Sequence, residues 1–196
     1  MPDILHFEAD AALDAMLQVF WRQGFKHTTT KQLAQAAGIS ESSLFNTFGS
    51  KRDVFQRCVE RYRAATRRMN RMLEREDSAL GGIRDYWEFI CNYACDESDG
   101  RGCLITNASV EQSEDPEMSR LLKRIHRESE SAYRQTLDRA IELGEIREDA
   151  DTEALAQFLL HSTQGIRVLA RLRPSKAKMQ NIASLTLSVL DQYRTN

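Results

Sequence analysis

No stretch of this chain approaches the roughly 18 consecutive apolar residues that a membrane-spanning helix needs. The first ten residues, MPDILHFEAD, lack the basic start and apolar run of a secretory leader, and the cytoplasm is the expected location. Proline and glycine are scarce, at three and nine residues, so few points interrupt a helical pattern. Runs of β-branched residues are nearly missing, which argues against strands. The four cysteines, Cys58, Cys91, Cys95 and Cys103, contain no CxxC pair and have no histidines close by. That spacing excludes the usual zinc patterns, and free thiols are expected in a reducing compartment. With four histidines and no spacing that supplies a nucleophile, a base and an orienting group, the chain does not read as an enzyme. Neither a metal nor a cofactor is expected.

What remains is a helix-forming chain of 196 residues, 41% hydrophobic and 29% charged, an ordinary balance for a globular protein. Ala, Leu, Glu, Arg and Gln are abundant, and they favour helices. The net charge of −2 conceals an asymmetry: residues 1–75 carry +4 and residues 76–196 carry −6. A basic first third on an acidic body suits a polyanionic partner.

Helical periodicity runs through Ala12, Leu13, Met16, Leu17 and Phe20, and Gly24 closes that helix. Thr29 with Gln32 forms a capping box that opens a second helix near Thr30, with Leu33, Ala34 and Ala37 inside. Gly38 ends it, Ser40 caps a third helix, and Leu44 and Phe48 lie on its inner side. Ser50 with Asp53 opens a long fourth helix through Val54, Phe55, Cys58, Val59, Tyr62, Ala65, Met69, Met72 and Leu73. Its other faces carry Arg57, Arg61, Arg63, Arg67, Arg68, Arg71 and Arg75, which read as a solvated arginine face. A fifth helix is expected over Ala79–Cys95, a polar turn over DESDGRG, and a sixth helix over CLITNASVEQS. A seventh runs from Pro116 to Gly144, an eighth over Thr152–Arg171, and a ninth over Pro174–Tyr193.

The last two helices carry apolar residues on more than one face, which predicts burial on more than one face. Small residues there would let helices approach closely. A homodimer interface is therefore expected, with Phe158, Ser162, Gly165, Ile166, Leu169, Ile182, Leu185 and Val189. A plain core hairpin is the competing reading.

The stretch LAQAAGISESSLFNTF, Leu33 to Phe48, holds two helices, each too short to persist alone. Joined by a tight glycine turn, they form a helix-turn-helix over about residues 29–48. The second short helix would project outward, and a major groove about 12 Å wide admits one helix. Its outward residues are Glu41, Ser42, Ser43, Asn46 and Thr47, after the cap Ser40. Thr28, Thr29, Thr30 and Lys31 cluster at the start of the other helix. Hydroxyls and free N–H groups at helix starts suit phosphate, and Lys51 adds charge. Double-stranded DNA is the expected partner.

The run GFKHTTTKQLAQAAGISESSLFNTFGSKRDVF resembles the DNA-binding domain of the TetR/AcrR family of transcriptional regulators. Gly24-Phe25, the threonine pair, Leu33-Ala34, Ala37-Gly38-Ile39-Ser40, Leu44-Phe45, Phe48 and Ser50-Lys51 fall in family positions. GCLITNASVE and QGIRVLARLRPS are similar to segments found in one subset of the family. The resemblance implies an all-α fold of about nine helices. In it, an N-terminal three-helix helix-turn-helix domain, residues 1–50, is joined by the long fourth helix to a helical ligand-binding and dimerisation domain, residues 51–196. It also implies a repressor that binds a palindromic operator as a homodimer and leaves it when a small molecule binds. Two positions depart from the pattern: the usual tyrosine is Phe45, read here as leaning to the core, and the usual histidine is Thr47. Contacts there fall to Asn46, Thr47 and Lys51.

The resemblance places the effector pocket among the middle helices. Candidates are Tyr86, Trp87, Ile90, Tyr93, Cys103, Asn107, Met118, Leu121, His126, Phe158, His161 and Gln164, for each of which core packing is the competing role. Cys103 follows a glycine turn beside Arg101 at a helix start, where a thiolate is favoured. That makes a thiol-based redox or electrophile-sensing repressor one alternative. A helical interaction module without DNA binding is another.

Overall fold

The computed structural model describes residues 2–96 and 100–195, with nine α-helices among them. They are α1 (Pro2–Gln23), α2 (Thr30–Ala37), α3 (Glu41–Phe48), α4 (Lys51–Asn70), α5 (Ala79–Asp96), α6 (Leu104–Glu111), α7 (Pro116–Glu142), α8 (Thr152–Leu169) and α9 (Lys176–Asp191). A 3₁₀ turn, Ala170–Leu172, follows α8. The one β-type pairing among the described residues is an isolated bridge between Ile146 and Arg194. Part of the polar turn expected over DESDGRG, residues 97–99, lies outside the described residues, as does the side chain of Arg68.

Packing divides the chain into two compact units. The first is Met1–Ala65 with Cys103–Leu122, and the second is Thr66–Gly102 with Lys123–Asn196. The divisions therefore fall inside α4 and inside α7. By packing, the first unit continues past Ser50 and also takes in α6.

In the first unit, Met16, Phe20, Leu33, Leu44, Val54, Phe55 and Val59 are sealed from solvent. Phe55 packs edge-on against Phe20 at 4.8 Å between centroids and lies 5.0 Å from Phe25. The short helices are held by these contacts and by their caps. Thr29 Oγ1 accepts from Gln32 N (3.2 Å) and Thr29 N donates to Gln32 Oε1 (2.9 Å), closing the expected capping box. Gly38, at φ +68°, turns the chain out of α2, a conformation that glycine adopts without steric cost. Ser40 caps α3 through Ser43 N (3.1 Å). At the start of α4, Ser50 N and Oγ both donate to Asp53 Oδ2, at 2.8 and 2.7 Å.

The second unit is built around Trp87, Ile83, Leu80, Tyr133, Leu137, Leu159, Met179 and Leu190. Tyr133 Oη and Thr163 Oγ1 share a buried hydrogen bond of 2.9 Å. Glu145 accepts from Leu80 N (2.9 Å) and Ser78 Oγ (2.5 Å), satisfying the start of α5.

Several boundaries differ from the periodicity. α1 begins at Pro2 and not near Glu8. α4 stops at Asn70, because Met72, Leu73 and Glu74 donate to carbonyls three residues back, which winds the chain into a tighter turn. Leu73 O then accepts from Thr136 Oγ1 (3.1 Å) and Arg139 Nη2 (2.6 Å). α8 ends at Leu169, before the 3₁₀ turn. α9 begins at Lys176 under a Ser175 cap, two residues after Pro174.

Candidate nucleic-acid interface

Thr29, Gly38 and Ser40 set the geometry of the α2–turn–α3 motif, and Leu33, Ala34, Leu44 and Phe48 anchor it. What stays outside is a short polar surface. Thr30 Oγ1 donates to Glu41 Oε2 at 2.7 Å, joining the starts of α2 and α3. Ser40 Oγ lies 2.8 Å from Ser42 Oγ and 2.9 Å from Ser43 Oγ. These three hydroxyls form one local cluster, with Ser40 engaged in capping. Lys31, Glu41, Asn46 and Thr47 are exposed.

Three expectations need correction. Thr28 is 2% exposed, and its hydroxyl donates to Gly24 O at 2.7 Å. It closes the end of α1 from inside and presents no hydroxyl to a ligand. Lys51 is engaged as well: its ammonium donates to Phe25 O (3.0 Å) and Thr28 O (2.9 Å) and sits 4.2 Å from the Phe25 ring centroid. It clamps the turn that precedes α2. Phe45, read as core-leaning, is 49% exposed, because Leu44 and Phe48 already occupy the inner face of this two-turn helix.

Phe45 lines an open groove of about 600 Å³ with Asn46, Thr47, Phe48, Gly49, Asp53, Gln56, Arg57 and Glu60. Arg57 reaches from α4 to the end of α3, donating to Thr47 O at 3.4 Å and lying 5.8 Å from the Phe48 ring. The arginine pattern of α4 does not by itself single out Arg57. Its spacing, four residues after the capping Asp53 and so on the same side of α4, was the available signal.

The effector candidates are distributed over both units. Cys103, Asn107, Met118 and Leu121 belong to the first, and the others to the second. In the second unit Tyr86, Trp87 and Ile90 are buried. Tyr86 meets Tyr133 edge-on at 5.9 Å and accepts from Arg167 Nη2 at 3.1 Å. The Trp87 indole N–H is buried and directed at the Tyr133 hydroxyl. Burial, helped by the charges of Arg167 and His161, holds the His126 imidazolium pKa below its ordinary value. Tyr93, Phe158 and His161 are exposed and do not fit an enclosed pocket. His161 Nδ1 is tied to Gln157 O at 2.7 Å. Cys103 is buried at the cap of α6. Burial drives the thiol pKa of Cys58 above the normal range and that of Cys91 to about 11.

Of the dimer candidates, Phe158, Gly165 and Leu185 are exposed, and Ser162, Leu169, Ile182 and Val189 are partly so. Ile166 is the exception. It is fully buried in the core of the second unit and belongs to no outer face. Val168 and Leu172 take its place on the open side, with Leu172 and Leu185 each 75% exposed.

No helix among the described residues is long and apolar enough to cross a membrane. Residues 12–58 match the profile described as "Bacterial regulatory proteins, tetR family", and residues 79–185 match "Tetracyclin repressor-like, C-terminal domain". The chain is 31% identical to the uncharacterized regulator YezE of Bacillus subtilis, covering 94% of this chain and 97% of that protein. It is 30% identical to the transcriptional repressor ComR of Escherichia coli, covering 92% and 88%. A cysteine-substituted TetR family regulator, CifR, solved with 26-bp double-strand operator DNA, superposes with a TM-score of 0.85. The identity is 25%, over 92% of this chain and 95% of that one. A helix-turn-helix locked by its own caps, with its second helix presenting polar side chains, carried on a chain similar to these regulators over nearly its full length, makes this protein a member of the TetR family of DNA-binding transcriptional regulators and not an enzyme.

Proposed function

We propose that the protein is a repressor that binds a palindromic operator as a homodimer and is released by a small-molecule effector. The observation that carries this reading is the exposed polar face of α3, with Glu41, Asn46 and Thr47 outward while Leu44 and Phe48 hold the helix down. A helix presented this way enters a major groove by its N-terminal part. Lys31 and the backbone N–H groups of Thr30 and Lys31 at the start of α2 would meet phosphate, as would Arg57 at the end of the groove. ComR is a repressor, and the CifR structure contains operator DNA; both support the same role here.

Dimerisation is supported by Phe158, Val168, Leu172 and Leu185, large apolar side chains left open on α8, its 3₁₀ extension and α9. Two copies joined there would carry two α3 helices to half-sites about 34 Å apart, one DNA turn. Effector binding in the C-terminal domain is supported by the buried cluster of Tyr86, Trp87 and Tyr133, a few polar groups set among apolar helices as in the usual ligand site. An effector that prefers a different setting of α4 shifts the population away from the DNA-competent form. The cytoplasm, where the chromosome lies, is the proposed location. DNA binding is tested by presenting the purified protein with genomic DNA fragments and sequencing those retained. Discrete sites with inverted half-repeats, bound with an affinity that falls steeply with salt, are expected. Indifference to all duplex DNA in dilute salt would refute the reading.

A further inference from the structure

We infer that Glu41 is a specificity-determining residue that reads the exocyclic amino group of a cytosine in each half-site, and that Thr30 is the positioning residue that aims it. The inference rests on the operator-binding reading above. Between Thr29 and Phe48 the only charged residues are Lys31 and Glu41. Glu41 is the first residue of α3 and is exposed, where a carboxylate entering a groove between phosphate strands is electrostatically opposed. The opposition is offset only if the carboxylate meets a donor. Among base edges in the major groove, guanine offers N7 and O6 and thymine offers O4, all acceptors. Adenine offers an amino group beside the acceptor N7. Cytosine offers an amino group with no neighbouring acceptor on its own edge.

The structure adds the reason for a single-donor base. Thr30 Oγ1 donates to Glu41 Oε2 at 2.7 Å, and no hydrogen bond to Oε1 occurs among the described residues. One carboxylate oxygen is used to fix the side chain, and one acceptor remains to be filled. Thr30 is itself fixed, because Thr29 beside it closes the capping box with Gln32. The aim of Glu41 is thus set by a side-chain contact already made before DNA arrives, which lowers the ordering cost of the contact. The neighbouring Ser42 and Ser43 hydroxyls are drawn toward Ser40 Oγ, so the carboxylate is the dominant polar group at this end of α3.

The test is selection from a randomised duplex library by the full-length protein and by the variants E41Q, E41A and T30V, each checked for folding by circular dichroism. The wild-type protein should select half-sites with one invariant G·C pair. E41A should lose the preference at that pair alone and bind the wild-type site about 5- to 150-fold more weakly, the discrimination of one good base contact. E41Q should shift the same position toward adenine, because a carboxamide matches the adenine N6 and N7 pair. T30V should blur that position and no other. Selection by E41A of the same sites at every position, or equally tighter binding of E41A to all duplexes, would overturn the inference while leaving operator binding intact. A wild-type protein that enriches no duplex would overturn the operator-binding reading and this one with it.

Discussion

Lys51 shows how a residue of the right type at the right place can serve a different purpose. Its ammonium is spent on Phe25 O and Thr28 O and lies against the Phe25 ring. In K51M two carbonyls lose a charged donor, a loss of about 1–3 kcal/mol by the usual value of such bonds. A melting temperature several degrees lower in calorimetry is the expected result. DNA affinity should fall alike for all sequences. The salt slope should stay unchanged, whereas losing a phosphate contact would reduce it by about 0.9. Gly24 is a second such residue. Its φ of +77° ends α1, and a Cβ there would run into the Glu111 carboxylate, which accepts from Phe25 N at 2.7 Å. G24A therefore combines a left-handed backbone cost of about 1–2 kcal/mol with displacement of Glu111. A lower denaturation midpoint in urea, with an unchanged slope, should record it. Neither Lys51's partners nor Glu111's approach could be read along the chain, because each contact joins residues far apart in sequence.

At the scale of elements, the capped starts of α2, α3 and α4 were the most legible feature, since capping chemistry is local. The Thr29–Gln32 box, the Ser40 cap and the Ser50–Asp53 pair all occur where the residue types indicated. Replacing Ser40 by Ala removes the cap of α3 and should cost about 0.5–2 kcal/mol, seen as a lower melting temperature and faster amide exchange at Ser42 and Ser43. Helix ends were less legible, because packing decides where a regular pattern stops. The apolar period of α4 continues to Leu73, yet the helix ends at Asn70 once the Leu73 carbonyl is taken by Thr136 and Arg139. The start of α7 is tied to the start of α4: Arg52 Nη2 reaches Asp115 at 2.7 Å and Glu117 at 2.9 Å. Hydrogen bonding from Arg52, aided by the Met118 N–H, lowers the Asp115 pKa to about 2 from 3.8. A carboxyl whose folded pKa is depressed stabilises the fold above its unfolded value. That contribution is lost as pH falls from about 4 through 2. In R52M, carboxyl titration followed by NMR should show the Asp115 pKa rising toward its ordinary value, and the acid-induced decline in stability should become shallower across that window.

For the whole molecule, the decisive surface is the one that a single copy leaves open. Phe158, Val168, Leu172 and Leu185 remain exposed after the core has closed around Trp87, Tyr133 and Met179. If a second copy covers them, V168E and L185E should each place a charge in that interface. Sedimentation should then show a monomer, and operator affinity should drop by more than tenfold because two half-sites are no longer bound together. Unchanged sedimentation would separate this surface from dimerisation.

The one-dimensional order of residues was enough to establish the helical class, the helix-turn-helix, its caps and the polar character of α3, because each depends on neighbours within about four positions along the chain. It also indicated that the last two helices would carry apolar residues beyond the core, as Phe158 and Leu185 do. Which residue of α8 lies outward was decided in three dimensions, where Ile166 entered the core and Val168 stayed out. The same holds for Thr28 and Lys51, whose polar ends were turned inward by carbonyls that only folding brings near. A sequence states what a side chain can donate or accept; the tertiary structure decides which partner reaches it first, and so which groups are left to bind DNA.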